Sequence, residues 1–129
     1  MQTFLPYSSF RASAKCLDRQ RLGKQRVEAM QIFKTLTVGG GWKYHPAVKM
    51  WAGYEQSLQA YFNIICEEWI ARGYKNNMPL FTIVKYEKPK WLTQQFCEAH
   101  QSNLLRKNHE WYKQFDWHVA ANLPYIWPV

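Results

Sequence analysis

His45-Pro46-Ala47-Val48-Lys49-Met50-Trp51-Ala52-Gly53-Tyr54-Glu55-Gln56-Ser57-Leu58-Gln59-Ala60-Tyr61-Phe62-Asn63-Ile64-Ile65-Cys66-Glu67-Glu68-Trp69-Ile70-Ala71-Arg72-Gly73 is the most strongly patterned stretch of the chain. Counted from Val48, the apolar residues Val48, Trp51, Leu58, Phe62, Ile65 and Trp69 fall at offsets 0, 3, 10, 14, 17 and 21. At 3.6 residues per turn this spacing lays one apolar stripe along about six turns of helix. Pro46 suits a first helical position, where no intrahelical donor is lost. Gly73 suits the residue just past a last turn, where a left-handed backbone costs it nothing. The stretch predicts a helix over 46–72 that supports the whole domain.

Two weaker helical patterns flank it. Upstream, Asp18 to Leu36 repeats Leu22, Ala29, Phe33 and Leu36 at helical spacing, with Val27 and Met30 close by and Ser13 or Asp18 as its cap. Val38-Gly39-Gly40-Gly41 is a joint between the two helices. Downstream, Trp91 to Phe115 is helical again, with a break near Asn108. Residues 74–90 are irregular; Leu80-Phe81-Thr82-Ile83-Val84 has the look of a short strand but no partner run. Pro124 and Pro128 keep the tail Leu123-Pro124-Tyr125-Ile126-Trp127-Pro128-Val129 out of a helix, and it is expected to lie across the surface and close part of the core. The expected fold is all-α: a single compact domain, residues 1–129, of three main helices with irregular connections and an aromatic C-terminal tail.

Composition narrows the function. Hydrophobic residues make up 47% of the chain and charged residues 20%, which fits a globular domain and not a disordered one. Seventeen Lys and Arg against nine acids leave a net charge of +8, which favours a polyanionic partner. No apolar run reaches the ~20 residues of a membrane span, so no membrane partner is expected. Met1-Gln2-Thr3-Phe4-Leu5-Pro6 lacks the basic start and apolar stretch of a secretory signal. Cys16, Cys66 and Cys97 form no CxxC pair and are read as reduced and buried in a cytoplasmic protein. His45, His100, His109 and His118 lack zinc-site spacing, so neither a metal nor another cofactor is expected.

Three clusters carry candidate chemistry. From Arg19 to Tyr54 the basic residues are Arg19, Arg21, Lys24, Arg26, Lys34, Lys43 and Lys49, and Glu28 is the sole acid before Tyr54. Arg21, Lys24 and Glu28 share a helix face at i, i+3 and i+7, with Gln25 beside them. One carboxylate among phosphate-binding cations suits cleavage of a glycosidic bond in DNA, where it stabilises a sugar cation or moves a proton. The same spacing also makes an ordinary Lys24–Glu28 ion pair on a solvated helix. Second, Gly41-Trp42-Lys43-Tyr44-His45-Pro46 joins glycine freedom, two aromatics, a cation and a histidine at a helix start. It suits phosphate binding and stacking on extruded bases, or simply staples the helix onto the core. Third, His100, Asn103 and Lys107 share one helix face, with Ser102 and Arg106 on another. These donors suit phosphate or base edges, and a satisfied surface histidine is the plain alternative. Trp111-Tyr112-Lys113 and the tail offer further stacking surfaces or further core.

These residues resemble a known family. Leu17-Asp18-Arg19-Gln20-Arg21-Leu22, followed by Arg26 and Glu28, resembles the first catalytic helix of the pyrimidine-dimer DNA glycosylases. Trp42-Lys43-Tyr44-His45-Pro46 is similar to a Gly-Tyr-Lys-Asn-His-Pro segment of bacterial members. Glu68-Trp69-Ile70-Ala71-Arg72-Gly73-Tyr74 resembles the end of their second long helix, and Trp111-Tyr112-Lys113 is similar to a Trp-Tyr-Lys segment of phage members. The matches run in order over roughly residues 1–115.

The resemblance implies an all-α, metal-free DNA repair enzyme that cuts the N-glycosidic bond of a damaged nucleotide and, in many members, nicks the abasic site through an imine on the N-terminal amine. Glu28 then matches the essential glutamate, while Arg21 and Arg26 match phosphate-gripping positions. Gln2 is too large for ordinary removal of the initiator methionine, so the amine is expected on Met1. An α-amine is the least basic of a protein's amines, and an appreciable fraction is neutral and nucleophilic near pH 7. Residues Leu5 to Lys15 make this region longer than in the phage members, and Lys24 or Lys43 is the substitute amine if Met1 is not used.

The sequence therefore predicts a DNA repair glycosylase with abasic-site lyase activity. Its expected substrate is double-stranded DNA holding a damaged or modified pyrimidine, a pyrimidine dimer first. Glu28, Met1 and Arg26 are the candidate catalytic residues. Arg21, Lys24, Gln25, Trp42, Lys43, Tyr44, His45, His100, Ser102, Arg106 and Lys107 are the candidate DNA-binding residues. A monomer without cofactor, cytoplasmic and associated with nucleoid or viral DNA, is expected. The alternatives are a glycosylase for another modified base using activated water, a nonenzymatic basic nucleic-acid-binding module and, more remotely, a small protein-interaction domain.

Overall fold

The computed structural model describes residues 1–128, and among these it contains helices and no strand. The helices are α1 (Phe10–Cys16), α2 (Arg19–Val38), α3 (Pro46–Lys49), α4 (Glu55–Ala71), α5 (Gln94–Lys107) and α6 (His109–Tyr112), followed by a 3₁₀ turn at Lys113–Phe115. Three of them are long, as the apolar patterns require: α2 with 20 residues, α4 with 17 and α5 with 14. The broadest helix–helix face joins α2 to α4; α1 also rests on α4, and α3 on α2.

The helix expected over 46–72 is broken in two. α3 holds a single turn, and the chain then bends through Met50–Tyr54 before α4 begins. Gly53 at φ +85° makes the bend, a conformation that costs an L side chain strain. Its N–H donates to the Glu55 carboxylate at 2.9 Å. The interruption left a trace in the stripe, which has no apolar residue between Trp51 and Leu58. Both halves still reach the core, since Val48, Trp51, Leu58, Phe62 and Ile65 are all buried.

Other boundaries follow local chemistry. α1 was not visible as a pattern; Ser9 caps it by accepting from the Ala12 N–H at 3.1 Å. Asp18 occupies the cap position of α2 but its side chain bonds no helix N–H, turning instead to Arg21 and Tyr112. α5 starts at Gln94, not at Trp91, because the Thr93 hydroxyl accepts from the Phe96 N–H. Asn108 ends α5 and begins α6, at the expected break. Leu80–Val84 pairs with no strand; Asn63 of α4 brackets Phe81 with one bond to its N–H and one to its carbonyl.

The feature that organises the core is the non-helical segment Gln2–Pro6, buried throughout. A buried strand-like segment with no sheet must satisfy its backbone through side chains. Each long helix supplies one. Gln25 of α2 accepts from the Phe4 N–H at 3.0 Å, and the Tyr61 hydroxyl of α4 donates to the Phe4 carbonyl at 2.8 Å. His100 Nδ1 of α5 accepts from the Leu5 N–H at 3.0 Å. Trp51, fully buried, donates its indole N–H to the Thr3 hydroxyl at 3.0 Å. The tail closes this core as expected: Tyr125 and Trp127 pack against it, and Tyr125 lies edge-on to His100.

Candidate active site

The threading of Gln2–Pro6 brings the start of the chain against the middle of α2. The Gln2 N–H donates to the Glu28 carboxylate at 3.3 Å. The Gln25 amide N–H₂ donates to the same carboxylate oxygen at 3.1 Å and to the Gln2 carbonyl at 2.8 Å. Glu28 is thus oriented by two donors, one of them a single peptide unit from the Met1 amine. Met1 and Glu28 open onto one cleft of about 270 Å³. Arg21, Lys24 and Gln20 of α2 form one wall, and Lys107 closes α5's side. Tyr125 and Trp127 of the tail add aromatic surface to the same cleft.

Electrostatics favour an anionic ligand here. Among the described residues, three cations line the cleft with one carboxylate, and phosphate chains bind such clusters through Coulomb attraction and counterion release. Arg21 is held in place by both oxygens of Asp18, at 3.1 and 3.2 Å, and Asp18 in turn accepts from the Tyr112 hydroxyl. Burial, together with the Glu28 carboxylate, pushes the Tyr61 phenol well above its ordinary range, so it stays a neutral donor beneath the site. Burial raises Tyr125 as well, against the pull of Arg106 and Arg21.

A second, wider groove of about 760 Å³ runs along the other side of the α2 ridge. Gln20, Lys24 and Glu28 border both hollows. Arg26 lies in this groove and does not line the cleft. Its guanidinium stacks over Trp69 with 4.7 Å to the ring centroid and donates to Asn76 Oδ1 at 2.7 Å. Gly23 gives Trp69 its place, since a Cβ there would stand 3.0 Å from the indole ring.

The remaining candidates divide by environment. Gln25 is 1% exposed, so it orients groups instead of meeting solvent. His100 is fully buried between Phe4, Phe96 and Tyr125, and burial pulls its imidazole down to about 3. Ser102 donates to the Ala120 carbonyl and accepts from the Leu123 N–H, while Arg106 bonds Ala121, Ser102 and Asn103. This pair fastens the tail. His45 caps α3 by accepting from the Ala47 N–H at 3.0 Å and meets Trp42 on one edge and Trp127 on another. Trp42, Lys43 and Tyr44 stand exposed on the glycine loop, with Lys43 over the Tyr44 ring.

Gln2, Gln20, Tyr125 and Trp127 line the cleft without having been singled out as site residues in the sequence. The aromatic tail was a signal for the last two, but nothing local tied it to Glu28. The three cysteines are buried and free, and burial pushes their thiols up, Cys66 and Cys97 to about 11 and Cys16 to about 12. Among the described residues, no three His, Cys, Asp or Glu side chains converge as a metal site requires, and no helix is long and apolar enough to cross a membrane.

The fold thus brings Met1 and an oriented Glu28 carboxylate together in a cleft lined by Arg21, Lys24 and Lys107. The profile of the pyrimidine dimer DNA glycosylase family matches residues 1–82, nearly two thirds of the 129-residue chain. The chain belongs to this family, and the family's role is that of a DNA glycosylase. No curated protein and no solved structure gives a significant match. The matched residues include Met1, Gln2 and all of α2; Lys107, Tyr125 and Trp127 lie beyond them.

Proposed function

We propose that this chain excises a damaged pyrimidine, a pyrimidine dimer first among the candidates, from double-stranded DNA, with Glu28 and the Met1 amine as its reactive groups. The observation that carries the reading is the Gln2 N–H bond to Glu28, which holds the start of the chain beside the one carboxylate of the cationic cleft. In this reading the neutral amine attacks C1′ of the damaged nucleotide. The C1′–N1 bond breaks and the base leaves with its electron pair, taking up a proton. Glu28 stabilises the positive charge that develops on the sugar and accepts the proton lost from the amine. Opening of the sugar ring gives a protonated imine. Loss of a C2′ proton then expels the 3′ phosphate oxygen and nicks the strand, and water releases the amine by hydrolysing the imine.

Arg21, Lys24 and Lys107 would bind the phosphates beside the lesion, and Trp42 and Tyr44 on the exposed loop would stack on bases of the distorted duplex. Arg26 and the groove along Trp69 would take the backbone on the far side of α2.

The test uses end-labelled duplexes holding one thymine dimer, one abasic site or no damage. Wild type should cut at the dimer and at the abasic site and form a covalent adduct with abasic DNA under borohydride. Glu28→Gln, which keeps shape but removes charge, should lower dimer cleavage by about 10²–10⁴-fold while retaining DNA binding. Acetylating the N-terminal amine should abolish the adduct. Dimer excision without any adduct would replace the amine by activated water, and binding with no cleavage of either damaged duplex would make the protein a nonenzymatic module.

A further inference from the structure

Gln2 is 7% exposed, yet its amide Nε2 is buried without any hydrogen-bond partner. The orientation of the amide is settled by its neighbour: the other terminal atom stands 2.9 Å from the Thr3 N–H and must therefore be the accepting oxygen. The orphaned atom is a donor with two protons and no acceptor. Buried donors are rarely left unpaired, because the lost water is not replaced. Here the orphan belongs to a residue that lines the cleft together with the proposed nucleophile, Tyr125 and Trp127. Among the described residues, the two other buried side-chain atoms without partners, Arg26 Nε and His100 Nε2, belong to residues outside the cleft lining.

We infer that Gln2 is a specificity-determining residue whose Nε2 donates to a ring carbonyl oxygen, at C2 or C4, of the pyrimidine being excised. The inference rests on the glycosylase reading above and deepens it. A pyrimidine stacked on the tail aromatics presents its carbonyls at the ring edge, and a desolvated donor meeting one of them rewards a base that carries an acceptor there. A base without that acceptor leaves the donor orphaned and gains nothing. The contact exists only while the base is present, so it acts on base release and not on the later nicking of an abasic site.

That separation provides the test. Initial rates are measured on the dimer duplex and on the abasic duplex for wild type, Gln2→Glu and Gln2→Met, with circular dichroism to follow folding. Gln2→Glu keeps the oxygen that accepts from Thr3 and exchanges the donor for a second, charged oxygen; Gln2→Met removes both polar atoms without adding charge. Each should lower the ratio of dimer to abasic rate by roughly tenfold or more. A purely structural role would depress both rates together and leave the ratio at its wild-type value, which would overturn the assignment while the glycosylase reading stood. A wild-type protein inert on the dimer would overturn both.

Discussion

Replacing Gln25 by Leu should destabilise the protein by about 3 kcal/mol and loosen the site at the same time. Gln25 spends all of its hydrogen-bonding capacity internally. Its oxygen accepts from the Phe4 N–H at 3.0 Å and lies 2.6 Å from the Tyr61 hydroxyl; its nitrogen donates to the Gln2 carbonyl and to Glu28. Leucine fills similar space but orphans the Phe4 N–H and the Gln2 carbonyl, each costing about 1–3 kcal/mol. Tyr61 keeps the Phe4 carbonyl and Glu28 keeps the Gln2 N–H, so neither is fully stripped. Burying the leucine returns about 1 kcal/mol, leaving a net loss of about 3. With an unfolding entropy of roughly 0.27 kcal/mol/K for a chain of 129 residues, Tm should fall by about 10 °C. Near-ultraviolet circular dichroism reads this directly, since the seven Trp give a strong tertiary signal. Dimer cleavage, assayed well below the new Tm, should fall more than roughly tenfold as the amine and carboxylate lose their common anchor. A Tm within about 2 °C of wild type would refute the reasoning, because two orphaned buried backbone groups cannot be that cheap.

Acid should destabilise the protein through His100. Its folded imidazole lies near 3 against 6.5 when free, so between these values the unfolded chain binds a proton that the folded chain does not. Stability therefore rises with pH across that window and is lost on acidification, by about 2 kcal/mol from pH 7 to pH 5. Urea melts at the two pH values measure it, and His100→Gln should flatten the dependence. Lys24→Ala and Lys107→Ala should each reduce the slope of log affinity against log salt by about 0.9 on damaged duplex, read by titration at several salt concentrations. Gly53→Ala should cost about 1–2 kcal/mol in thermal melts from its left-handed φ alone, because no atom crowds the added methyl.

Helices that rest on a local period were legible in advance. α2 and α4 carry apolar stripes, and their ends bear ordinary stop signals at Gly39 and Gly73. What failed was local detail set by single residues. The Gly53 bend was hidden inside a stripe that resumed on the far side, and α1 is too short to show a period. Glu28 stood out as a lone acid among cations on one helix face, and the fold places it in the cleft lining. Gln25 was correctly grouped with it but for the wrong partner, since spacing cannot tell a solvent-facing amide from one that clasps a buried segment. The placement of His100 depends on a closure between distant residues, the Leu5–His100 bond with its separation of 95. No window of sequence contains both ends of such a contact.

That same closure bears on how the protein comes into being. During synthesis the segment Gln2–Pro6 emerges well before its partners His100 and Gln101 of α5. The bonds to Gln25, Trp51 and Tyr61 need only the chain through α4, whereas the Leu5 N–H waits for His100. The cleft, drawing on Met1, Glu28, Lys107 and Trp127, cannot assemble on a partial product. A nascent or truncated chain would carry the basic helix without the finished cleft.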